Sequence, residues 1–170
     1  MARLTTTILM GVALVATAAC SKKRPEVLPP APGEAPAPPA QTGPTGDGVA
    51  PGSAADFKRS AQSDTVLFGT DVYDIDAEAR GILDSQAAWL QRYPNVRITL
   101  EGHADERGTR EYNLGLGDRR ANAAKNYLAA RGIDASRMTT ISYGKERPVA
   151  LGSDEASWAQ NRRAVTVIVN

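Results

Sequence analysis

The residues best suited to chemistry lie in one short polar loop and on the helix predicted to follow it. The loop runs from Gly102 to Gly108, directly after a predicted strand, and combines acidic, basic and glycine residues. Four residues of the helix fall at i, i+3, i+4 and i+7 and therefore share one face, and these are Asn113, Leu116, Gly117 and Arg120. A glycine inside a helix costs about 1 kcal/mol relative to alanine, so Gly117 indicates the close approach of another group.

Asp105 and Arg120 would give a single pocket one anion and one cation if the loop folds back over this face of the helix. Arginine can bind a carboxylate through two parallel N–H bonds, and aspartate can accept a hydrogen bond from an ammonium group. The pair therefore suits the zwitterionic head of an α-amino acid. The same spacing is also consistent with an ordinary structural salt bridge between Asp105 and Arg120, and the residues alone leave both interpretations open.

The loop also contains the one histidine of the chain, His103, yet it lacks the partners that a metal or catalytic site needs. The chain has one cysteine and no second histidine, and His103, Asp105 and Glu106 stand within four residues, which would crowd a metal ion. We interpret His103 as a structural residue that bonds the backbone of the loop. With no nucleophile motif or separated carboxylate pair, the sequence predicts no catalytic residue, metal, cofactor or enzymatic activity.

The elements that must position these residues are indicated by hydrophobic periodicity and by capping residues. Asp76 and Thr109 are good helix caps, Pro94 ends the first helix, and Gly132 ends the second. Alternating or β-branched runs predict four strands, at residues 65–68, 96–101, 138–143 and 164–169. A short helical turn is expected before the last strand. The order β-α-β-α-β-β predicts an α+β fold, a two-layer sandwich with the helices packed on one mixed sheet.

The first 55 residues differ in composition from the rest of the chain. Residues 1–19 have the pattern of a signal peptide, with Arg3, a short apolar stretch and small residues directly before Cys20. Residues 20–55 hold nine prolines, five glycines and no aromatic residue, so they cannot bury enough apolar area to fold, and we predict a disordered tether. Residues 56–170 are predicted to form the one folded domain.

Several motifs of the predicted domain resemble those of the OmpA-like domain family, in particular of its peptidoglycan-associated lipoproteins. They occupy residues 101–113, 116–121, 142–146 and 161–165, in the order of that family. The resemblance extends from about Val66 to the C-terminus. Upstream, Cys20 and the small residues before it resemble the lipobox of bacterial lipoproteins, although Thr17 stands where leucine is usual.

The resemblance implies a protein that binds peptidoglycan noncovalently through the diaminopimelate of the stem peptide. In such a protein Asp105 would contact the ammonium of the diaminopimelate head group, and Arg120 would contact its carboxylate. Asp71 would be a further contact, because the segment from Phe68 to Asp71 resembles the Phe-x-x-Asp of the family after its first strand. The rest of the pocket would be lined by Asn113, Leu116 and Gly117.

The resemblance also implies where the protein acts and with which partners. Lipidated Cys20 would hold it in the outer membrane with the domain facing the periplasm, and two or three acyl chains, at about 0.8 kcal/mol for each buried CH₂, make such an anchor lasting. The family further implies membership of the Tol–Pal system, with TolB as a partner, and roles in envelope integrity and outer-membrane constriction at division. A plain secreted protein with an unmodified Cys20 thiol is the alternative.

Two other functions remain open from the sequence. The chain could be another wall-anchoring OmpA-like accessory protein outside the Tol–Pal system, or a cell-wall hydrolase that uses Asp105, Glu106 or Glu111 as acid or base.

Nucleic-acid binding is not expected, because 20 basic residues against 19 acidic ones give a net charge of +1.

Overall fold

The structure is a computed structural model that describes residues 49–169. The predicted signal peptide, Cys20 and most of the predicted tether lie outside these residues. The described strands are β1 (Thr65–Leu67), β2 (Arg97–His103), β3 (Met138–Gly144) and β4 (Arg163–Val169). The helices are α1 (Ala54–Ser60), α2 (Ala77–Arg92), α3 (Arg110–Ala130) and α4 (Glu155–Asn161), with a 3₁₀ turn at Ala135–Arg137.

The two long helices begin and end where the sequence indicated. Asp76 caps α2 by accepting a hydrogen bond from the Ala79 amide at 2.8 Å, and Thr109 caps α3 by accepting one from the Tyr112 amide at 3.2 Å. After α3 the chain turns at Gly132, whose φ of 89° lies in the left-handed region that favours glycine. These caps satisfy amide groups that a helix end otherwise leaves unbonded.

The sheet has the strand order β1-β4-β2-β3, and it is mixed, as predicted. β4 runs antiparallel to both β1 and β2, whereas β2 and β3 are parallel. The C-terminal ends of β1, β2 and β3 therefore lie beside the N-terminal end of β4, at one end of the sheet. The loops that follow or precede these ends converge there, and they carry the candidate site.

One face of the sheet is covered by α2 and α3, and the hydrophobic core lies between. Alternation along β2 turns Ile98 and Leu100 into this core, where they meet buried residues of both helices, among them Leu83, Leu90, Ala121, Ala124 and Leu128. The opposite face of the sheet leaves Ile141 and Val167 exposed. The predicted α+β architecture, with its helices on one mixed sheet, is thus confirmed.

A pair of glycines sets the distance between α3 and the sheet. A Cβ atom on Gly102 would overlap the backbone carbonyl of Gly117, and one on Gly117 would overlap the Ser142 hydroxyl and lie 2.8 Å from the Gly102 carbonyl oxygen. Neither position can hold a side chain unless the backbone moves. The close approach that the helical Gly117 indicated is therefore present, and its partner is β2.

Apart from shifts of one residue at strand ends, the structure differs from the predicted elements in two places. β2 continues to His103, because Gly102 pairs with Ala164 of β4 and His103 pairs with Gly144 of β3, so these two residues belong to the strand and not to the loop. Helix α1 was not predicted, and it begins before residue 56.

Helix α1 is held by a buried acid and an aromatic contact. The Asp56 carboxylate accepts hydrogen bonds from the Trp89 indole N–H at 3.1 Å and from the Gly52 amide at 2.9 Å. The Phe57 ring meets Trp89 edge-on, with ring centroids 4.9 Å apart. Trp89 lies in the last turns of α2, so α1 packs at the end of the sheet away from the converging loops.

Within residues 49–169, no helix has the length and apolar character needed to cross a membrane.

Candidate ligand-binding site

A cavity of about 240 Å³ lies where the loops after β1 and β2 meet the start of α3. It is lined by Thr70, Asp71, Asp105, Arg107, Gly108 and Tyr112. Asp71 adopts a left-handed φ of 55°, which asparagine and aspartate tolerate better than most residues. Its carboxylate accepts a hydrogen bond from the Tyr112 hydroxyl at 3.3 Å. Two of the predicted contacts, Asp71 and Asp105, therefore face one cavity.

Asp105 is paired with Arg107, two residues further along the same loop. The Arg107 side chain donates to both carboxylate oxygens, from Nε to Oδ1 at 3.1 Å and from Nη2 to Oδ2 at 2.6 Å. Burial alone would raise the pKa of Asp105, but the hydrogen bonds and charge of Arg107 outweigh it and hold this pKa below its usual value. The carboxylate is therefore an anion at neutral pH, matched to a cationic group.

Arg162 supports the same carboxylate from behind. Its Nη1 lies 3.5 Å from Asp105 Oδ2, while Nη2 donates to Glu155 at 2.7 Å and Nε donates to the Phe68 carbonyl at 3.1 Å. Arg162 is itself buried. It ties α4, the loop after β1 and the loop after β2 to one another beside the cavity.

Arg120 lies beneath the cavity and does not line it. Its guanidinium is fully buried and donates to three backbone carbonyls, those of Gly69 at 2.9 Å, Val72 at 2.9 Å and His103 at 2.8 Å. Burial lowers the pKa of Arg120 to about 10, so it stays a cation at neutral pH. Its bonds to Gly69 and Val72 flank Asp71, so Arg120 fixes the loop that carries this carboxylate.

The remaining predicted residues form a wall behind the loop. Asn113, Leu116 and Gly117 are buried. The Asn113 side-chain amide donates to the Arg107 carbonyl at 2.7 Å, and Gly117 contacts β2. The structure thus brings all six predicted residues into one region, with Asp71 and Asp105 at the cavity and the other four packed beneath or behind it.

Residues outside the predicted set hold the loop after β2 in place. The Trp158 indole N–H donates to Glu106 at 3.0 Å, and the Arg107 guanidinium stacks over the Trp158 ring at 4.3 Å from its centroid. Lys145 donates to the carbonyls of Glu106 at 3.0 Å and Gly108 at 2.8 Å. The sequence signal for these contacts was weak, because Lys145 lies 39 positions and Trp158 lies 52 positions along the chain from Glu106.

His103 is buried at the end of β2, and neither of its ring nitrogens has a hydrogen-bond partner among the described residues. The expected bond to the loop backbone is therefore absent. Glu101 Oε2 lies 3.7 Å from Nε2, and burial, followed by the nearby charges of Arg163 and Arg147, lowers the pKa of His103 to about 4. The residue is neutral at physiological pH. No cluster of three metal-binding side chains occurs within residues 49–169.

The fold and this loop arrangement define the class of protein. Residues 67–162 match the model of the OmpA family, and the chain belongs to this family. More particularly, it is similar to a peptidoglycan-associated lipoprotein of Rhizobium meliloti, with 58% identity over 118 residues that cover 69% of this chain and 66% of that relative. A peptidoglycan-associated lipoprotein of Mesorhizobium japonicum is 49% identical over 158 residues, which cover 92% of this chain and 88% of the relative.

A solved structure supports the same grouping. The crystal structure of the peptidoglycan-associated lipoprotein from Burkholderia pseudomallei superposes with a TM-score of 0.63 at 42% sequence identity, and the match covers 67% of this chain and 100% of that one. The family membership inferred from the motifs is therefore confirmed.

Proposed function

We propose that this protein binds peptidoglycan noncovalently and so holds a membrane of the envelope to the cell wall, with no catalytic step. The observation that carries the proposal is the cavity itself, in which two carboxylates and a guanidinium meet in a space of about 240 Å³. Such a set suits one zwitterionic amino-acid head group. The names of the similar proteins point to the same polymer.

We propose the diaminopimelate of the stem peptide as the bound group. Asp105 accepts hydrogen bonds from its ammonium, and Asp71, which lines the same cavity, is a second acceptor. Arg120 acts from below, because it fixes the Asp71 loop and places a buried positive charge under the carboxylate of the ligand. Asn113, Leu116 and Gly117 keep the loop after β2 and helix α3 in register, so the two carboxylates are positioned before the ligand arrives.

Loss of either cavity carboxylate tests this function. We expect Asp105→Asn and Asp71→Asn to weaken binding of the lipid-free chain, residues 21–170, to purified sacculi, Asp105→Asn the more strongly. A hydrogen bond to a charged group contributes about 1.5–3 kcal/mol, which corresponds to a drop of roughly 10- to 150-fold for Asp105. Soluble diaminopimelate should release the wild-type chain from the sacculi.

Asp118→Asn is the matched control, since Asp118 is an exposed acid on α3 outside the cavity. Thermal melts followed by circular dichroism separate lost binding from lost folding. If folded Asp105→Asn chains bound sacculi at wild-type strength, the cavity would not be the binding site.

The membrane anchor is a second part of the proposal. Cys20 stands directly after the predicted signal peptide, and we propose that it carries the lipid that holds the protein in the outer membrane, with the domain in the periplasm. Labelling with palmitate should mark the wild-type chain and not Cys20→Ser. An unlabelled wild-type chain would contradict the anchor.

We also propose that the protein belongs to the Tol–Pal system and that TolB is its partner there. Capture of TolB by the purified chain separates it from the alternative of a wall-anchoring accessory protein outside that system. Release of dye from labelled sacculi would instead reveal a cell-wall hydrolase, and we expect none.

A further inference from the structure

We infer that Arg107 makes this site selective for a ligand that carries both an ammonium and a carboxylate, because such a ligand can exchange partners with the Asp105–Arg107 ion pair. A ligand that carries only an ammonium cannot complete this exchange. The inference rests on the proposed function, since it concerns the same cavity.

Arg107 occupies the position that a ligand ammonium must take. Its guanidinium donates to both carboxylate oxygens of Asp105, and Nη2 also reaches the Thr70 hydroxyl at 3.4 Å. The guanidinium carbon also lies over the Trp158 ring, 4.3 Å from its centroid. An incoming cation therefore competes with a cation that is already bound at short distance and in good geometry.

The surroundings make displacement of Arg107 costly unless it finds a new partner. The Asp105 side chain is 9% exposed and that of Arg107 is 39% exposed, so their pair is partly removed from water. Displacing Arg107 takes away its carboxylate partner and removes the shorter of the two contacts that Asp105 makes with a guanidinium. Asp105 keeps Arg162 beside it in either state, but no second carboxylate is bonded to Arg107 among the described residues.

A ligand with both charges resolves this cost. Its ammonium replaces the guanidinium at Asp105, and its carboxylate receives the guanidinium that has just been displaced. Arginine suits this role, because its planar guanidinium binds a carboxylate through two parallel N–H bonds and its long side chain can turn while the backbone stays in place. The Asn113 bond to the Arg107 carbonyl holds that backbone.

This exchange separates two stem-peptide chemistries. Diaminopimelate in a stem peptide ends in a free amino-acid head with an ammonium and a carboxylate, whereas lysine at the same position ends in an amine alone. The two side chains place the same cation at Asp105. We therefore expect selection to come from Arg107 and not from the acids of the cavity.

The test compares two tripeptides, L-Ala-γ-D-Glu-meso-diaminopimelate and L-Ala-γ-D-Glu-L-Lys, which differ by that one carboxylate. Binding to the lipid-free chain is measured by calorimetry. The wild-type chain should prefer the diaminopimelate tripeptide by about tenfold or more, the low end for a hydrogen bond between charged groups. In Arg107→Gln the diaminopimelate tripeptide should bind more weakly than to wild type, and the lysine tripeptide should bind more tightly because its competitor is gone.

Trp158 supplies an independent readout. If Arg107 leaves its ring during the exchange, the diaminopimelate tripeptide should change the tryptophan fluorescence of wild type, and the lysine tripeptide should change it less. Arg110→Gln is the matched control, since Arg110 lies near the loop but pairs with Glu146 at the surface, at 3.2 Å. It should leave both affinities unchanged. Arg107→Lys keeps the charge without the paired N–H geometry, and it should fall between wild type and Arg107→Gln.

The outcomes separate this inference from the proposed function. If the wild-type chain bound both tripeptides equally, or if a folded Arg107 variant lost affinity for both by the same factor, the exchange would be wrong while wall binding stood. If the wild-type chain bound neither tripeptide, the proposed function would fail, and the inference with it.

Discussion

His103 is a buried residue whose two ring nitrogens make no hydrogen bond among the described residues, and this makes the stability of the domain depend on pH. Its pKa is about 4 in the folded state against a usual value of 6.5, so the unfolded chain takes up a proton first as the pH falls. The titration of His103 therefore leaves the free energy of unfolding unchanged above about pH 6.5 and lowers it as the pH drops toward 4. The decline reaches roughly 3 kcal/mol, at about 1.4 kcal/mol for each pH unit.

We expect His103→Phe to remove this part of the pH dependence. The phenyl ring keeps the aromatic volume beside Tyr143 and lacks the two unbonded nitrogens, so the variant should be at least as stable as wild type at pH 7.5. Urea unfolding of both chains between pH 4.5 and pH 7.5 measures the difference. If the free energy of unfolding changed with pH equally in the two chains, His103 would not titrate on unfolding.

Single residues of the site could be predicted only where the residue type and its spacing constrain the chemistry. The polar loop made Asp105 a candidate, the resemblance to a family gave it a role and added Asp71, and both residues line the cavity. The role of Arg107 could not be predicted, because a charged residue in a polar loop ordinarily points to solvent. Arg120 was expected to contact a ligand carboxylate; its guanidinium donates to buried carbonyls of the loop after β1 and of the end of β2, a need that the sequence does not reveal.

At the level of elements, the contact between α3 and β2 depends on Gly102 and Gly117. We expect Gly102→Ala to lower the free energy of unfolding by about 1–3 kcal/mol or more, because its methyl group would overlap the carbonyl of Gly117 in the facing helix. Gly115→Ala is the matched control. Gly115 lies on α3, the facing helix, and the added Cβ would lie 3.6 Å from the Arg119 side chain. It should stabilise the domain by up to about 1 kcal/mol.

Chemical denaturation of both variants measures these effects. Because Gly102 directly precedes His103 and the loop with Asp105, Gly102→Ala should also weaken binding to sacculi in the fraction that remains folded. A Gly102→Ala chain as stable as wild type would mean that α3 can move away from the sheet at little cost.

The long elements were predictable because their signals are local. Asp76, Thr109 and Gly132 are capping residues, and they act within one turn of the chain. Helix α1 was missed, since seven residues are too short to show a helical period and its stability comes from Trp89, more than 30 positions away. The position of β4 between β1 and β2 likewise depends on contacts between distant parts of the chain.

At the level of the whole molecule, the start of the folded region can be tested by truncation. We expect a chain that lacks residues 21–48 to melt at the wild-type temperature, because the composition of that segment gives it no core. A chain that lacks residues 21–55 also loses the Ser53 cap, the Gly52 contact with Asp56 and the first turn of α1. It should be less stable by about 1 kcal/mol, which lowers the melting temperature by roughly 2–8 °C.

Calorimetric melts of the two shortened chains give the comparison. Equal melting temperatures would mean that α1 adds nothing to the stability of the domain, and would support a boundary at residue 56. A lower melting temperature for the first shortened chain would show that the proline-rich segment packs on the fold.

Helix α1 and the cavity lie at opposite ends of the sheet, which determines how the domain would carry a mechanical load. Under the proposed function, the wall is bound at Asp71 and Asp105 and the anchor lies on the N-terminal side, so tension would run from one end of the strands to the other. Tension held at Asp105 would load the hydrogen bonds that join β1 to β4, including those from Phe68 to Arg162 and from Thr166 to Asp64. The contacts of Asp56 and Phe57 with Trp89 would be loaded before the sheet, because α1 precedes β1 in the chain. Under the proposed function, the strength of the link between membrane and wall would therefore depend on a seven-residue helix as well as on the bonds to the ligand.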